Sequence, residues 1–296
     1  MSLSRRRFLA ASLASCLAFR AGRGNASGQD QRVFKISLSE NSLRRRLTDK
    51  SVDHLDFAEI ARSEFGIDAV EYVSSCFSAR IDEADYLQEM NKRAAEHSVR
   101  QLRIELDDQG DLVENDPDRR QQVVRNYRRW IDAAKTLGCY AIGARIGKSD
   151  DPQAAFASAK ASLTEITRYA ESQRILVLMT NSGPPACRPQ WLVDLIEAVG
   201  GSYLGTQPDF ESYHEIDRYA GMQRLLPWAK GISATARTFG ADGNELETDY
   251  FRMMKIVLDS GYRGHVSIDY RGESLDEYAG IGAAKALLGR VQEQMV

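Results

Sequence analysis

Four short runs in the second half of the chain end in residues able to do chemistry. They are Leu178-Met179-Thr180-Asn181-Ser182-Gly183, Thr206-Gln207-Pro208-Asp209-Phe210, Ile232-Ser233-Ala234-Thr235 and Ser267-Ile268-Asp269-Tyr270. Asp209 and Asp269 bring carboxylates, the groups that move protons as general acid and base, whereas Thr180 and Ser233 bring only neutral hydroxyls. Glu105, closing an earlier run, is a third candidate for proton transfer. Arg145, Arg237 and Arg271 are cations able to anchor an anionic or hydroxyl-rich substrate, and Asn181 and His214 are candidate substrate contacts. His214 also stands where a helix would open. Side chains alternate along a strand, so only one of each adjacent pair can share a site with the others.

These runs belong to a regular series. Short β-branched stretches fall at 33–37, 69–73, 99–105, 140–146, 175–180, 203–206, 231–235 and 266–270. Helical periods separate them. Asp82-Glu83 opens a helix through Leu87, Met90 and Ala94, and Pro117 opens one that carries Val123, Tyr127, Trp130, Ile131 and Ala134 on one face. Further helices fit 152–173, 189–199, 214–225, 248–260 and 275–294, and Gly138 and Gly261 stand where helices should stop. Eight strand-helix alternations predict a (β/α)8 TIM barrel, whose strand C-termini build the site. A doubly wound nucleotide-binding sheet is disfavoured, because Ile36-Ser37-Leu38-Ser39-Glu40-Asn41 after the first strand holds no glycine.

The first 26 residues read as an export signal. Ser4-Arg5-Arg6-Arg7-Phe8-Leu9 has the twin-arginine pattern, an apolar run follows from Phe8 to Phe19, and small residues lead to Ala26. Residues 27–32 read as a linker and 33–296 as a single barrel domain. The expected partners include the twin-arginine export machinery, and the expected location is periplasmic or extracellular. Leu13-Ala14-Ser15-Cys16 also resembles a lipoprotein cleavage box, so membrane attachment is expected only if Cys16 is lipidated. Of 296 residues carrying a formal net charge of −3, the leader holds five arginines and no acid, which leaves the body at −8. An acidic body argues against nucleic-acid binding. Cys76, Cys139 and Cys187 are widely spaced and suggest no disulfide framework.

Phe65-Gly66-Ile67-Asp68-Ala69-Val70-Glu71-Tyr72, the stretch Trp130 to Cys139, Gly205-Thr206-Gln207-Pro208-Asp209-Phe210 and the stretch Gly261 to Tyr270 resemble the second strand, the entry to the fourth, the sixth and the eighth strands of the xylose isomerase-like sugar phosphate isomerase/epimerase family. The resemblance implies a divalent cation held by Glu, Asp, His and Glu from successive strand ends, and carboxylates that shift a proton between neighbouring carbons of a sugar. Carried over residue by residue, the first Glu stands here as Thr180, the Asp is kept as Asp209, the His stands as Ser233 and the last Glu is shortened to Asp269. A lysine near the family's substrate stands as Thr235. Hydroxyls are poor replacements for a carboxylate and an imidazole. The expectation is therefore an isomerase- or epimerase-like protein with a weak Mg or Mn site at Asp209 and Asp269, or no metal at all. The alternative is an inactive barrel that binds a sugar-like ligand or a protein. Phosphosugars are scarce outside the cytoplasm, so export would favour a non-phosphorylated carbohydrate.

Overall fold

The computed structural model describes residues 33–213 and 216–295. The leader with Cys16, the linker and His214 lie outside the described residues. In chain order the elements are β1 Lys35–Ser39, α1 Arg44–Thr48, α2 Phe57–Ser63, β2 Ala69–Val73, α3 Ala84–Glu96, β3 Arg100–Leu106, α4 Pro117–Thr136, β4 Ala141–Ala144, α5 Pro152–Gln173, β5 Leu176–Met179, α6 Pro189–Val199, β6 Leu204–Thr206, α7 Arg218–Leu225, β7 Ile232–Ala236, α8 Tyr250–Asp259, β8 His265–Tyr270 and α9 Glu277–Met295.

The strands are parallel and neighbour one another in the order β6-β5-β4-β3-β2-β1-β8-β7. The register runs from Leu38 opposite Val70, through Glu105 opposite Gly143 and Met179 opposite Thr206, to Thr235 opposite Asp269. The two ends meet through single bridges, Thr206 with Ala229 and Asp209 with Ser233. Backbone hydrogen bonds at this seam run from Ser233 N to Pro208 O at 2.9 Å and from Phe210 N to Ser233 O at 3.1 Å. The seam therefore closes at the residues that the sequence marks for chemistry.

Local chemistry sets the helix ends as expected. Pro117, Pro152 and Pro189 sit in first turns, where no N–H is needed. Asp116, Asp151 and Asp249 cap α4, α5 and α8 by accepting from backbone amides at 2.9–3.0 Å. Gly138 and Gly261 follow α4 and α8 at φ +70° and +87°, a backbone region that other residues rarely adopt. The helices bury their apolar faces on the strands' outer side chains, as Val124, Tyr127, Trp130 and Ile131 of α4 do. Each such large apolar side chain contributes about 1.5–3 kcal/mol.

Two differences from the sequence reading have physical causes. The short helices α1 and α2 were not anticipated, since a turn or two carries too little period to be seen; α2 buries only Phe57, Ala58 and Ala61. Helix α7 begins at Arg218 rather than at 214, because the Asp217 side chain caps it through Tyr219 N at 2.8 Å. Among the described residues, no helix is long and apolar enough to cross a membrane.

Candidate active site

The barrel's inner side chains are unusually polar near its C-terminal end. On β3, Arg103 and Glu105 are two residues apart and share the inward face. Arg103 Nε donates to Glu71 Oε2 of β2 at 2.8 Å, and its Nη1 donates to Glu105 Oε2. Glu71 Oε2 also accepts from Gln207 Nε2 at 2.9 Å, and its Oε1 accepts from Ser37 at 3.0 Å. All of these side chains are buried. A buried guanidinium between two carboxylates is held charged, because their attraction outweighs the burial that opposes its charge.

Above this layer a cavity of about 420 Å³ opens between the strand ends. Glu105, Thr180, Asp209, Ser233, Asp269 and Arg271 are among its walls. Asp209 is fixed from several directions. Its Oδ1 accepts from Glu211 N at 2.7 Å, and its Oδ2 accepts from Thr235 Oγ1 at 2.5 Å. Arg271 Nη2 lies 3.5 Å from the same Oδ2. Arg271 Nε and Nη2 both donate to Asp269 Oδ2, the former at 3.1 Å. Arg271 thus spans the two aspartates, one in the loop after β6 and one on β8. The adjacent Asp269 and Asp209 charges raise its pKa against the opposing burial.

Three side-chain oxygens of the lining residues lack partners among the described residues, two of them closed to solvent. Asp269 Oδ1 and Thr180 Oγ1 are enclosed without a hydrogen bond, and Glu105 Oε1 makes none among the described residues. Nearby, burial and then Asp209 raise the pKa of the Glu211 carboxyl, while Arg237 pulls it back down.

The remaining sequence candidates divide by what they touch. Arg145 is exposed on the cavity wall; it donates only to Asp107 O, at 3.4 Å, and makes no ion pair among the described residues. Arg237 pairs with Glu211 at 2.9 Å and is not on the wall. Asn181 is fully buried, accepting from Asp209 N at 2.7 Å and donating to Ser212 O at 2.8 Å. It supports Asp209 and the loop that follows. The sequence reading passed over Arg103, Gln207 and Glu211, and it also passed over Arg44, whose pairing with Asp107 on the cavity rim helps hold that carboxyl below its usual range despite burial. The i, i+2 spacing of Arg103 and Glu105 was the available signal.

A family model described as xylose isomerase-like TIM barrel matches residues 58–291. The chain belongs to the xylose isomerase-like TIM barrel family. The barrel of this family member is shared with solved structures of low identity. A D-tagatose 3-epimerase-like protein superposes with a TM-score of 0.71 at 18% identity, over 89% of this chain and 100% of that one. D-psicose 3-epimerase with D-tagatose from Clostridium cellulolyticum H10 gives 0.69 at 13% identity, over 88% and 99%. The probable 3-DHS dehydratase involved in petrobactin synthesis from Bacillus anthracis gives 0.68 at 15% identity, over 86% and 99%. At these identities the likeness is one of fold. No curated protein matches the chain.

The resemblance to sugar isomerases and epimerases implies a divalent cation, and the donors present do not fit one. Two of the four implied ligands are neutral hydroxyls, and the other two already share a guanidinium. Among the described residues no group of three or more His, Cys, Asp or Glu side chains is placed to hold a metal ion.

Proposed function

We propose that this barrel binds a small, non-phosphorylated carbohydrate, a ketose or related keto-sugar, and moves a proton between neighbouring carbons in the manner of an isomerase or epimerase. One observation supports the reading: Glu105, Asp209, Asp269 and Arg145 line one polar cavity at the strand C-termini, and Glu105 Oε1 accepts no hydrogen bond among the described residues. That oxygen is free to accept from a hydroxyl-rich ligand, a bond to a charged group that is stronger than one to a neutral group. Glu105, with one oxygen fixed by Arg103, is the base. It takes the proton from the carbon beside the carbonyl; the C–H electron pair becomes the new C=C bond, and the carbonyl π pair moves to oxygen. Returning a proton to the other face of the same carbon, as the oxygen's pair re-forms the carbonyl, gives the epimer; returning it to the former carbonyl carbon, as the neighbouring hydroxyl passes its proton to the former carbonyl oxygen and its O–H pair becomes the new C=O, gives the isomer. Asp269 is the second proton-transfer group, and no further reactant is consumed. Arg145, which has no carboxylate partner among the described residues, anchors the open end of the ligand.

The test is solvent exchange. Purified protein in deuterated water with D-tagatose, D-psicose or D-fructose should place deuterium beside the carbonyl, read by NMR, and Glu105→Gln or Asp269→Asn should lose that exchange. Exchange that persists in both variants would sink the assignment. A second reading, binding without turnover, is favoured by Arg271, which engages both aspartates. It predicts a ligand-induced rise in Tm with no exchange. The Ser4 to Leu9 motif supports export by the twin-arginine route, and Arg5→Lys with Arg6→Lys should leave the protein in the cytoplasm. Unchanged export of that variant would refute this part.

A further inference from the structure

We propose that Arg271 is the resident cation of this site: a tethered guanidinium that supplies, between Asp209 and Asp269, the positive charge that a divalent ion would otherwise bring. The inference rests on geometry. Arg271 Nη2 reaches Oδ2 of both aspartates, and Nε reaches Asp269 again. Both carboxylates are almost closed to solvent, at 5% and 4% side-chain exposure, whereas Arg271 is 35% exposed and stands on the cavity wall. Two carboxylates so enclosed need a counter-charge. An ion would have to displace the guanidinium to reach them, and Thr180 and Ser233 offer it no anionic ligand in return.

The backbone fixes the arginine in this position. Arg271 N donates to Ala236 O of β7 at 2.9 Å, which ties the residue to the neighbouring strand end. Gly272 follows where a β-carbon would overlap Arg237 O and the Tyr270 ring. A guanidinium also stays charged throughout the accessible pH range. Its Nη1 makes no hydrogen bond among the described residues, which leaves a charged donor for a ligand's carbonyl or hydroxyl oxygen. In a low-dielectric wall, such a donor stabilises negative charge developing on that oxygen. The charge assignment stands whether or not the ligand is turned over, so it is independent of the proton-transfer reading.

The experiment uses metal and stability readouts and no sugar. Calorimetric titration of the purified protein with Mn²⁺ and Mg²⁺ should show no saturable binding below millimolar, and EDTA should leave Tm unchanged. Arg271→Met should lower Tm on the order of 5–10 °C, since it strands two enclosed carboxylates. Adding Asp269→Asn to that variant should raise Tm again, although Asp269→Asn alone should lower it. Binding of Mn²⁺ by the unaltered protein tighter than about 10 μM, abolished by Asp209→Asn, would overturn the proposal, because an ion would then be displacing the arginine. An Arg271→Met protein as stable as the parent would overturn it equally. Should Arg271→Met fail to fold, Arg271→Lys provides the comparison. It keeps the charge without the fork, and its Tm should fall but should gain nothing from Mn²⁺. A rise in its Tm with Mn²⁺ would count against the arginine as the resident cation.

Discussion

Gly143 on β4 leaves open the space that the Glu105 carboxylate of β3 fills. A β-carbon at position 143 would overlap both Glu105 Oε2 and Arg103 Nη1. The two residues are register partners across the sheet, so neither backbone can retreat without breaking the ladder. Gly143→Ala should therefore destabilise the barrel by about 1–3 kcal/mol, the usual range for overpacking a close-packed interior. Urea denaturation checks this. A loss below about 0.5 kcal/mol would show that the ion pair has room to move.

The same ion pair makes Arg103 costly to remove. Arg103→Met would leave Glu71 and Glu105 buried without their shared cation, at about 3–5 kcal/mol. Adding Glu71→Gln and Glu105→Gln should recover much of that loss, because the penalty lies in stranded charge and not in lost volume. Denaturant midpoints of the single and triple variants decide it. A triple variant no more stable than Arg103→Met would place the cost in packing.

His265 at the start of β8 gives the barrel an acid-side weakness. Burial lowers its pKa from 6.5 to about 4, helped by the Arg100 guanidinium and by Lys35 and opposed by Glu71 and Asp68. Arg100 Nη2 lies 3.0 Å from its Nε2, an arrangement that suits a neutral ring. With the folded pKa below the unfolded one, the unfolded chain takes up the proton first. The contribution from His265 is therefore complete above pH 6.5 and lost as pH falls toward 4, with a slope of at most about 1.4 kcal/mol per pH unit. His265→Asn should flatten the stability curve between those pH values and leave its shape above pH 7 unchanged. Equal curves for the two proteins in the acid range would reject this.

The barrel was legible because its signals are local. Prolines at 117, 152 and 189 and glycines at 138 and 261 mark helix ends whatever the partners, and the β-branched runs between them have the length of strands. The site was legible only as a set of residue types. Arg271 was readable as one possible anchor, but its hold on Asp209 depends on the bridge of Asp209 to Ser233 of β7, the strand that pairs with β8. Arg103 was passed over because a charged residue within a strand run ordinarily reads as facing solvent, whereas this barrel turns it inward to Glu71 and Glu105. Thr235 looked like the loss of a lysine, yet in the fold its hydroxyl holds Asp209.

Asn181 ties Asp209 to the loop that follows it. Its side-chain oxygen accepts from Asp209 N, and its amide nitrogen donates to Ser212 O. The bond to Asp209 N is buried and the one to Ser212 O partly so, although Asn181 itself has no exposed surface. Asn181→Ala strands a donor and an acceptor and should cost about 1–3 kcal/mol. Asn181→Asp is the sharper variant. It keeps an acceptor for Asp209 N but offers Ser212 O no donor, and it adds a negative charge beside Asp209. It should therefore be at least as destabilising as the alanine at neutral pH, and should recover as pH falls and the new carboxyl takes up a proton. Urea denaturation at pH 5 and pH 8 checks the sign. An Asn181→Asp protein as stable as the parent at pH 8 would mean that the loop after Asp209 does not depend on the Ser212 bond.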